Sequence, residues 1–425
     1  MKKVLVITCY FPPREAIGSV RLRGLAKYLP EFGWEPTILT PIPPGPLKSK
    51  FKIIHTPHQD VISALKEKLH MNPERVVEEQ VRVLRPISKQ KAYVTRKVIN
   101  FTKNIIAYPD EYKGWHSIAT KAIMPTLRNE KIDALISSSD PVTPHIIAKD
   151  LKIKYKIPWV ADLRDLWTQS PYYQFGFIRK WFERKLEIRT LNHADALVTV
   201  SKPIAEELGS LHKEKRVHVI TNGFDPEEIK ELPLTKEFTI TYTGHLHHGK
   251  RDPYKFFQAI REIADEQILD SDLVKIRFFG PYVYWLDKEI RKFGLEQMVS
   301  QHGKVLREVA LVKQRESQIL LLLNWDDPRE KGTYTGKLFD YLCAKRPILA
   351  FGGPKGVVSE LLEETAAGVY APSISHIKKI LAKWFTEYNK TSKVAYKGKK
   401  DKVQKYTHLE MARKFAQVLE KVIKK

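Results

Sequence analysis

The strongest constraint on what this chain can fold into is a pattern that runs twice: short apolar segments of strand length, each followed by a segment with helical spacing. In the first series the strand-like runs fall at residues 4–9, 35–39, 134–137, 159–161, 196–200 and 217–221, with a helix expected near 20–32. The pattern resets at Leu232-Pro233-Leu234-Thr235, which reads as a linker, and returns at 238–243, 275–279, 319–324, 347–351 and 368–371. Short apolar strands alternating with helices imply parallel sheets covered on both faces. The expected class is therefore α/β, with two Rossmann-like doubly wound domains facing a central crevice at the C-terminal ends of their strands. The expected limits are 1–231 for the first domain and 232–405 for the second. A last helix within 406–425 is expected to pack back on the first domain.

A chain of 425 residues can bury large cores without disulfides. Its two cysteines, Cys9 and Cys343, each sit in an apolar run and read as small buried hydrophobes. The start, Met1-Lys2-Lys3-Val4-Leu5-Val6-Ile7-Thr8, runs straight into Phe11-Pro12-Pro13-Arg14 with no small-residue cleavage site, and reads as a buried strand rather than a signal peptide. No apolar run reaches the roughly 20 residues that a membrane-spanning helix requires. A cytoplasmic location is the expectation, with peripheral attachment to the inner face of the plasma membrane left open. Lys and Arg number 73 against 49 Asp and Glu, a formal charge of +24, and such a field attracts nucleic acid, anionic lipid or phosphorylated substrates. In 93–106, Val94, Val98, Phe101 and Ile105 share one helical face, with Lys91, Arg96, Lys97 and Lys103 around it. That segment suits either a cover for its own sheet or a helix lying on an anionic membrane.

Two segments of the second half carry the clearest chemistry. In Tyr242-Thr243-Gly244-His245-Leu246-His247-His248-Gly249-Lys250-Arg251-Asp252-Pro253, a strand gives way to a glycine-bearing turn, two cations and a helix start. Gly244 and Gly249 permit close backbone approach, and a helix N-terminus favours anions. Together with Lys250 and Arg251 this suggests a diphosphate site. His245, His247 and His248 have no zinc-like spacing and no completing carboxylates, so no metal is expected. Further on, Gly332-Thr333-Tyr334-Thr335-Gly336-Lys337-Leu338-Phe339-Asp340 forms a tight loop opening a helix that Pro347 ends. Thr335, Gly336 and Lys337 offer donors there, and Asp340, one turn in, suits the two hydroxyls of a ribose.

These segments resemble the donor site of the family-four, retaining glycosyltransferases with the GT-B fold, in the polysaccharide-assembly branch. Lys250, six residues after Gly244, matches the family's loop lysine, and His245 stands where arginine is usual. Asp340, seven residues before Pro347, matches the second glutamate of the Glu-x7-Glu motif, and Gly332 replaces the first. Val200-Ser201-Lys202, Thr221-Asn222-Gly223-Phe224-Asp225, Gly352-Gly353 and Glu360 fall in the family's order. Gly303-Lys304-Val305 resembles the stretch whose backbone meets the nucleotide base. The resemblance implies donor contacts from Gly18, Gly244, His245, Gly249, Lys250, Arg251, Val305, Thr335, Gly336, Lys337 and Asp340.

On the acceptor side, three loops follow strands: Phe11 to Gly18, Ser137-Ser138-Ser139-Asp140-Pro141 with His145, and Asp162-Leu163-Arg164-Asp165-Leu166-Trp167. Asp140, His145, Asp162 and Arg164 are the acceptor candidates. Arg164 suits an acceptor phosphate or a structural pair with Asp. Lys250, Arg251, Asp162 and Asp165 are the catalytic candidates. The implied reaction moves a sugar, most often UDP-linked in this family, with retention, to a glycan or polyprenyl-diphosphate-linked acceptor. The cations stabilise the leaving diphosphate, and neither metal nor other cofactor is expected. Two other readings stay open: a GT-B nucleotide-sugar 2-epimerase, and a nucleic-acid binder. The second lacks any zinc, RRM-like or helix-turn-helix signature, so nucleic acid is not an expected partner.

Overall fold

The computed structural model describes residues 1–13, 17–43, 50–58, 107–228, 231–247 and 249–424. The amphipathic segment 93–106 and His248 lie outside the described residues. Internal contacts divide the chain into two compact units, Met1–Ile220 with Ala412–Lys425, and Thr221–Met411.

In the first unit, β1 (Lys2–Ile7), β2 (Trp34–Pro41), β3 (Lys52–Thr56), β4 (Ala134–Ser139), β5 (Trp159–Leu163), β6 (Ala196–Thr199) and β7 (Val217–Val219) form one sheet. Their order is β3-β2-β1-β4-β5-β6-β7, and every pairing is parallel. In the second unit, β8 (Phe238–Thr243), β9 (Val274–Phe279), β10 (Val299–Gln301), β11 (Ile319–Leu323), β12 (Ile348–Phe351) and β13 (Gly368–Ala371) follow the order β10-β9-β8-β11-β12-β13, again all parallel. Both sheets are doubly wound, and their switch points lie between β1 and β4 and between β8 and β11. Open sheets of this kind take ligands just beyond the C-terminal strand ends at that point.

The apolar runs explain the layering. All five residues of β11 are buried. Ile319, Leu321 and Leu323 enter one core with the helices Tyr254–Asp265 and Ile374–Thr391, while Leu320 and Leu322 enter another with Gly336–Ala344 and Val357–Thr365. β12 divides likewise, with Leu349 and Phe351 in the first core and Ile348 and Ala350 in the second. The period-2 alternation of a strand thus demands helices on both faces.

Two expectations need correction. Leu232-Pro233-Leu234-Thr235 is not a linker: the Thr235 N–H donates to Glu316 O at 2.8 Å, and Gln318 Nε2 donates to Thr235 O at 3.1 Å. The division falls earlier, at Ile220/Thr221 rather than 231/232. The reason is local to the second unit, where buried Phe224 exchanges backbone hydrogen bonds with Tyr406 O and His408 N–H, at 3.1 and 2.8 Å. A Cβ on neighbouring Gly223 would lie 2.8 Å from Tyr406 O, so that exchange leaves no room for a side chain. At the other end of the chain the helix His408–Ile423 supplies Glu420, which pairs with Lys2 at 2.6 Å, and Phe415, whose ring lies 5.2 Å from the Arg21 guanidinium. These contacts belong to the first unit. Among the described residues no helix is long and apolar enough to cross a membrane.

Arg21, one turn into the helix Ile17–Tyr28, is buried against β5. Its Nε and Nη2 donate to the two oxygens of fully buried Asp162 at 3.1 and 2.8 Å, and Nη2 also donates to Ile220 O at 3.0 Å. Removing one partner of a buried pair strands the other charge, at about 3–5 kcal/mol. Arg21→Met should therefore lower the urea midpoint of unfolding markedly, and Arg21→Met with Asp162→Asn should recover part of the loss. An unchanged midpoint in the single variant would show that the pair contributes nothing.

Candidate functional site

In the second unit, glycines at three strand ends lock together. β8 gives way to Gly244, whose φ of +113 suits glycine alone, and its N–H donates to Phe279 O at 2.7 Å. A Cβ on Gly280 would lie 2.1 Å from Gly244 O, and the Gly280 N–H donates to Gly303 O at 3.0 Å. The turns after β8, β9 and β10 are thus pressed backbone to backbone. Gly249, at φ +69 with open space around it, shapes the turn before Lys250 and Arg251, whose N–H groups both reach His247 O at 2.9 Å.

The other side of the switch point supplies the loop after β11 and the helix Gly336–Ala344, whose N-terminus no side chain caps. Thr335 occupies the cap position with its Oγ1 buried and without a hydrogen-bond partner. Lys337 reaches across to β8: its Nζ lies 3.8 Å from the centre of the buried Tyr242 ring and donates to Tyr242 Oη at 2.5 Å. Tyr242 Oη in turn donates to His245 O at 2.9 Å. A Cβ on Gly244 would lie 3.1 Å from Lys337 Nζ. Lys250 Nζ lies 4.5 Å over the ring of Trp325, so the two loops that flank the switch point touch through a cation–π contact. Burial drives the Lys337 ammonium well below the usual lysine range, Arg251 adds to the drop, and Asp340 opposes it. His247 is lowered by burial first, then by His245, Arg251, Lys250 and Lys337. Lysine, arginine and histidine side chains gathered around a glycine turn and an uncapped helix end make surroundings suited to a polyanion.

Among the donor residues expected from sequence, Gly244, His245, Gly249, Lys250, Arg251, Thr335, Gly336 and Lys337 converge here. Asp340 is differently engaged. Arg307 clamps its carboxylate through Nη1 at 3.0 Å and Nη2 at 2.7 Å, a bidentate pair two residues beyond Val305. Sequence reasoning missed Arg307, Tyr242, Gly280 and Trp325. The available signal was their place at strand ends or helix starts beside the glycines.

The first unit corrects several expectations. β4 continues through Ser139, so Ser137 to Ser139 are buried strand rather than open loop. Ser138 Oγ donates to Asp162 Oδ2 at 2.9 Å, and Arg21 holds both Asp162 oxygens. Among the described residues the hydrogen-bond partners of Asp162 are thus internal, which does not suit the catalytic or acceptor-facing role expected of it. His145 is fully buried with Nδ1 2.7 Å from Ser137 Oγ, and burial pushes its pKa down to about 3. It is a neutral core ring, not an acceptor contact or base. Arg164 donates from Nε to Ser139 O at 2.7 Å, and its guanidinium fills the space that a Cβ on Gly18 would need, 2.2 Å away. Gly18 thus accommodates Arg164, a packing role that its place in the loop sequence did not reveal. Asp165 is exposed. Asp140 reaches solvent yet has protein on most sides, and this loss of hydration, with Asp110 and Asp165 nearby, pushes its carboxyl up to about 6.

Comparison with known proteins agrees with this architecture. Residues 18–228 match the sequence model described as Glycosyltransferase Family 4. A comparison with curated protein sequences finds no match. Among solved structures, sucrose-phosphate synthase from Thermosynechococcus elongatus aligns with a TM-score of 0.62 at 12% identity over 99% of each chain. The Anabaena HepE structure in complex with UDP and glucose aligns at 0.59 and 14%, covering 99% of this chain and 100% of that one. An α,α-trehalose-phosphate synthase from Burkholderia xenovorans, in complex with glucose-6-phosphate, aligns at 0.62 and 11% over 99% and 100%. The chain is a glycosyltransferase with the GT-B fold. The match to the family-four model falls almost wholly on the first unit.

The raised carboxyl of Asp140 has a consequence for stability. Between the ordinary aspartate value of about 4 and its folded value of about 6 the native state holds the extra proton, so stability falls as pH rises through that window. Asp140→Asn should raise the melting temperature relative to the parent at pH 7 and leave the difference near zero at pH 4. An equal shift at both pH values would rule out the titration.

Proposed function

We propose that this glycosyltransferase moves a sugar from a nucleoside-diphosphate sugar, UDP-linked, to a glycan or polyprenyl-diphosphate-linked acceptor, with retention at the anomeric carbon. The setting is cell-surface polysaccharide assembly at the cytoplasmic face of the membrane. The observation that carries this reading is the convergence of Lys250, Arg251 and Lys337 around Gly244 at the β8/β11 switch point. HepE, a structural neighbour, was crystallised with UDP and glucose, and the trehalose-phosphate synthase with a sugar phosphate, which supports a nucleotide-sugar donor.

The chemistry follows from the charge that grows on the departing diphosphate. Lys250, Arg251 and the N–H groups at Gly336 are fixed before the donor arrives, so they stabilise that charge without reorganising. Burial leaves Lys337 holding its proton weakly, and phosphate oxygens beside it would hold that proton in place more firmly. The ribose hydroxyls reach Asp340 alongside Arg307, and the Gly303-Lys304-Val305 backbone meets the base. In the first unit the solvent-reaching carboxylates Asp140 and Asp165, with Arg164, are the proposed acceptor contacts. No protein nucleophile is assigned, in keeping with a same-face displacement, and no divalent cation is invoked because the side-chain cations supply the charge.

Lys250→Ala and Asp340→Ala should each weaken UDP-sugar binding or turnover at least about tenfold, roughly 1.4 kcal/mol, with turnover in the parent unaffected by EDTA. Parental binding and turnover in both variants would remove the site. Because a diphosphate favours protonated Lys337, nucleotide binding should take up protons and weaken as pH rises. Calorimetry in buffers of different ionisation enthalpy reads that uptake, and Lys337→Met should abolish it.

A further inference from the structure

We propose that the outward face of the helix Phe177–Leu191, in the first unit, docks on an anionic lipid bilayer. This names the surface for the membrane association proposed above and rests on that reading.

The helix is built inside out. Phe177 is 82% exposed, Ile178 61%, and Trp181 and Phe182 each 53%. A lone exposed apolar side chain is ordinary, but four on two successive turns form a patch. Trp181 and Phe182 also pack edge to face, with ring centres 4.8 Å apart. The acidic residues of the same helix point the other way. Glu183 and Glu187 are only 2% and 0% exposed. Glu183 accepts from Arg179 at 2.6 Å and from Trp167 at 3.3 Å, and Glu187 accepts from the Thr168 N–H at 3.1 Å with His212 at 3.5 Å. What remains outside is one sign of charge: Lys180, Arg184, Lys185 and Arg189 are all exposed. Lys185 Nζ lies 3.5 Å over the exposed Trp181 ring, a cation–π contact that seats a positive charge within the aromatic patch.

A water-facing helix ordinarily turns carboxylates out and aromatic rings in. The reverse arrangement, aromatic and aliphatic side chains ringed by cations, suits the interfacial layer of a bilayer. There, rings sit at headgroup depth and each basic side chain meets lipid phosphate. Charge also selects the occupant. A second copy would bring its own +24 to the contact, and a polynucleotide would leave Phe177 and Ile178 in water.

The test uses the full chain and vesicles of phosphatidylcholine alone or mixed with phosphatidylglycerol. The parent should sediment with the mixed vesicles, lose binding as salt rises, and stay in solution with the neutral ones. Phe177→Ser with Trp181→Ser should weaken partitioning about tenfold or more while circular dichroism and UDP binding remain parental. Lys180→Glu with Arg184→Glu should weaken it too and flatten the salt dependence. A parent that binds no vesicles overturns the proposal together with the membrane reading. A parent that binds, with the Phe177→Ser, Trp181→Ser variant binding equally, overturns only the assignment of this face. Loss of a dimer in that variant by sedimentation velocity, without vesicle binding, overturns the proposal in favour of self-association.

Discussion

The alternate burial of strand residues on two faces governs everything else in this molecule. In β11 five consecutive apolar residues leave no side for water, so helices must cover both faces of the sheet. Parallel strands then require a crossover between each pair, and winding outward in two directions from one point opens a gap between adjacent loops. That gap is where β8 and β11 release the Gly244 turn and the Trp325 loop. The chemistry of the second unit is thus placed by packing, and the polar residues decide only what the gap will hold.

What it holds is set by electrostatic tension. Burial first, and then Arg251, weakens the hold of Lys337 on its proton, and burial first, then His245, Arg251, Lys250 and Lys337, does the same to His247. Such an arrangement is unfavourable for folding and becomes favourable when a polyanion occupies it. Tyr242 and Trp325 moderate the tension through their ring faces, which attract cations without competing as anions would. The Arg307–Asp340 pair plays a related part. It keeps a carboxylate poised beside a cationic site without letting Asp340 collapse onto Lys337.

The two series of parallel strands alternating with helices and the positions of the glycine-and-cation loops were legible because each rests on local pattern: apolar runs, turns and motif spacing. β3 and β10 were not, since neither is an apolar run: β3 is Lys-Ile-Ile-His-Thr and β10 is Val-Ser-Gln. Asp162 and His145 were misread for a different reason. Their partners are Arg21, 141 positions away, and a serine of a strand whose end was drawn two residues short. Nothing in the immediate neighbourhood of an aspartate says that an arginine from a distant helix already holds it. The sorted charges of Phe177–Leu191 were hidden likewise, because exposure cannot be told from spacing alone when aromatic and acidic residues both recur at helical intervals.

The contact between Gly280 and Gly244 has an entropic meaning. A turn jammed against a neighbouring backbone and tied to Phe279 has already lost its freedom in folding. A ligand meeting that turn orders almost nothing there, so the favourable contacts appear almost undiminished in the free energy of binding. Rigidity supplied by a glycine packed against the turn is therefore part of the affinity. A methyl group added at position 280 would push the Gly244 turn aside and forfeit that advantage.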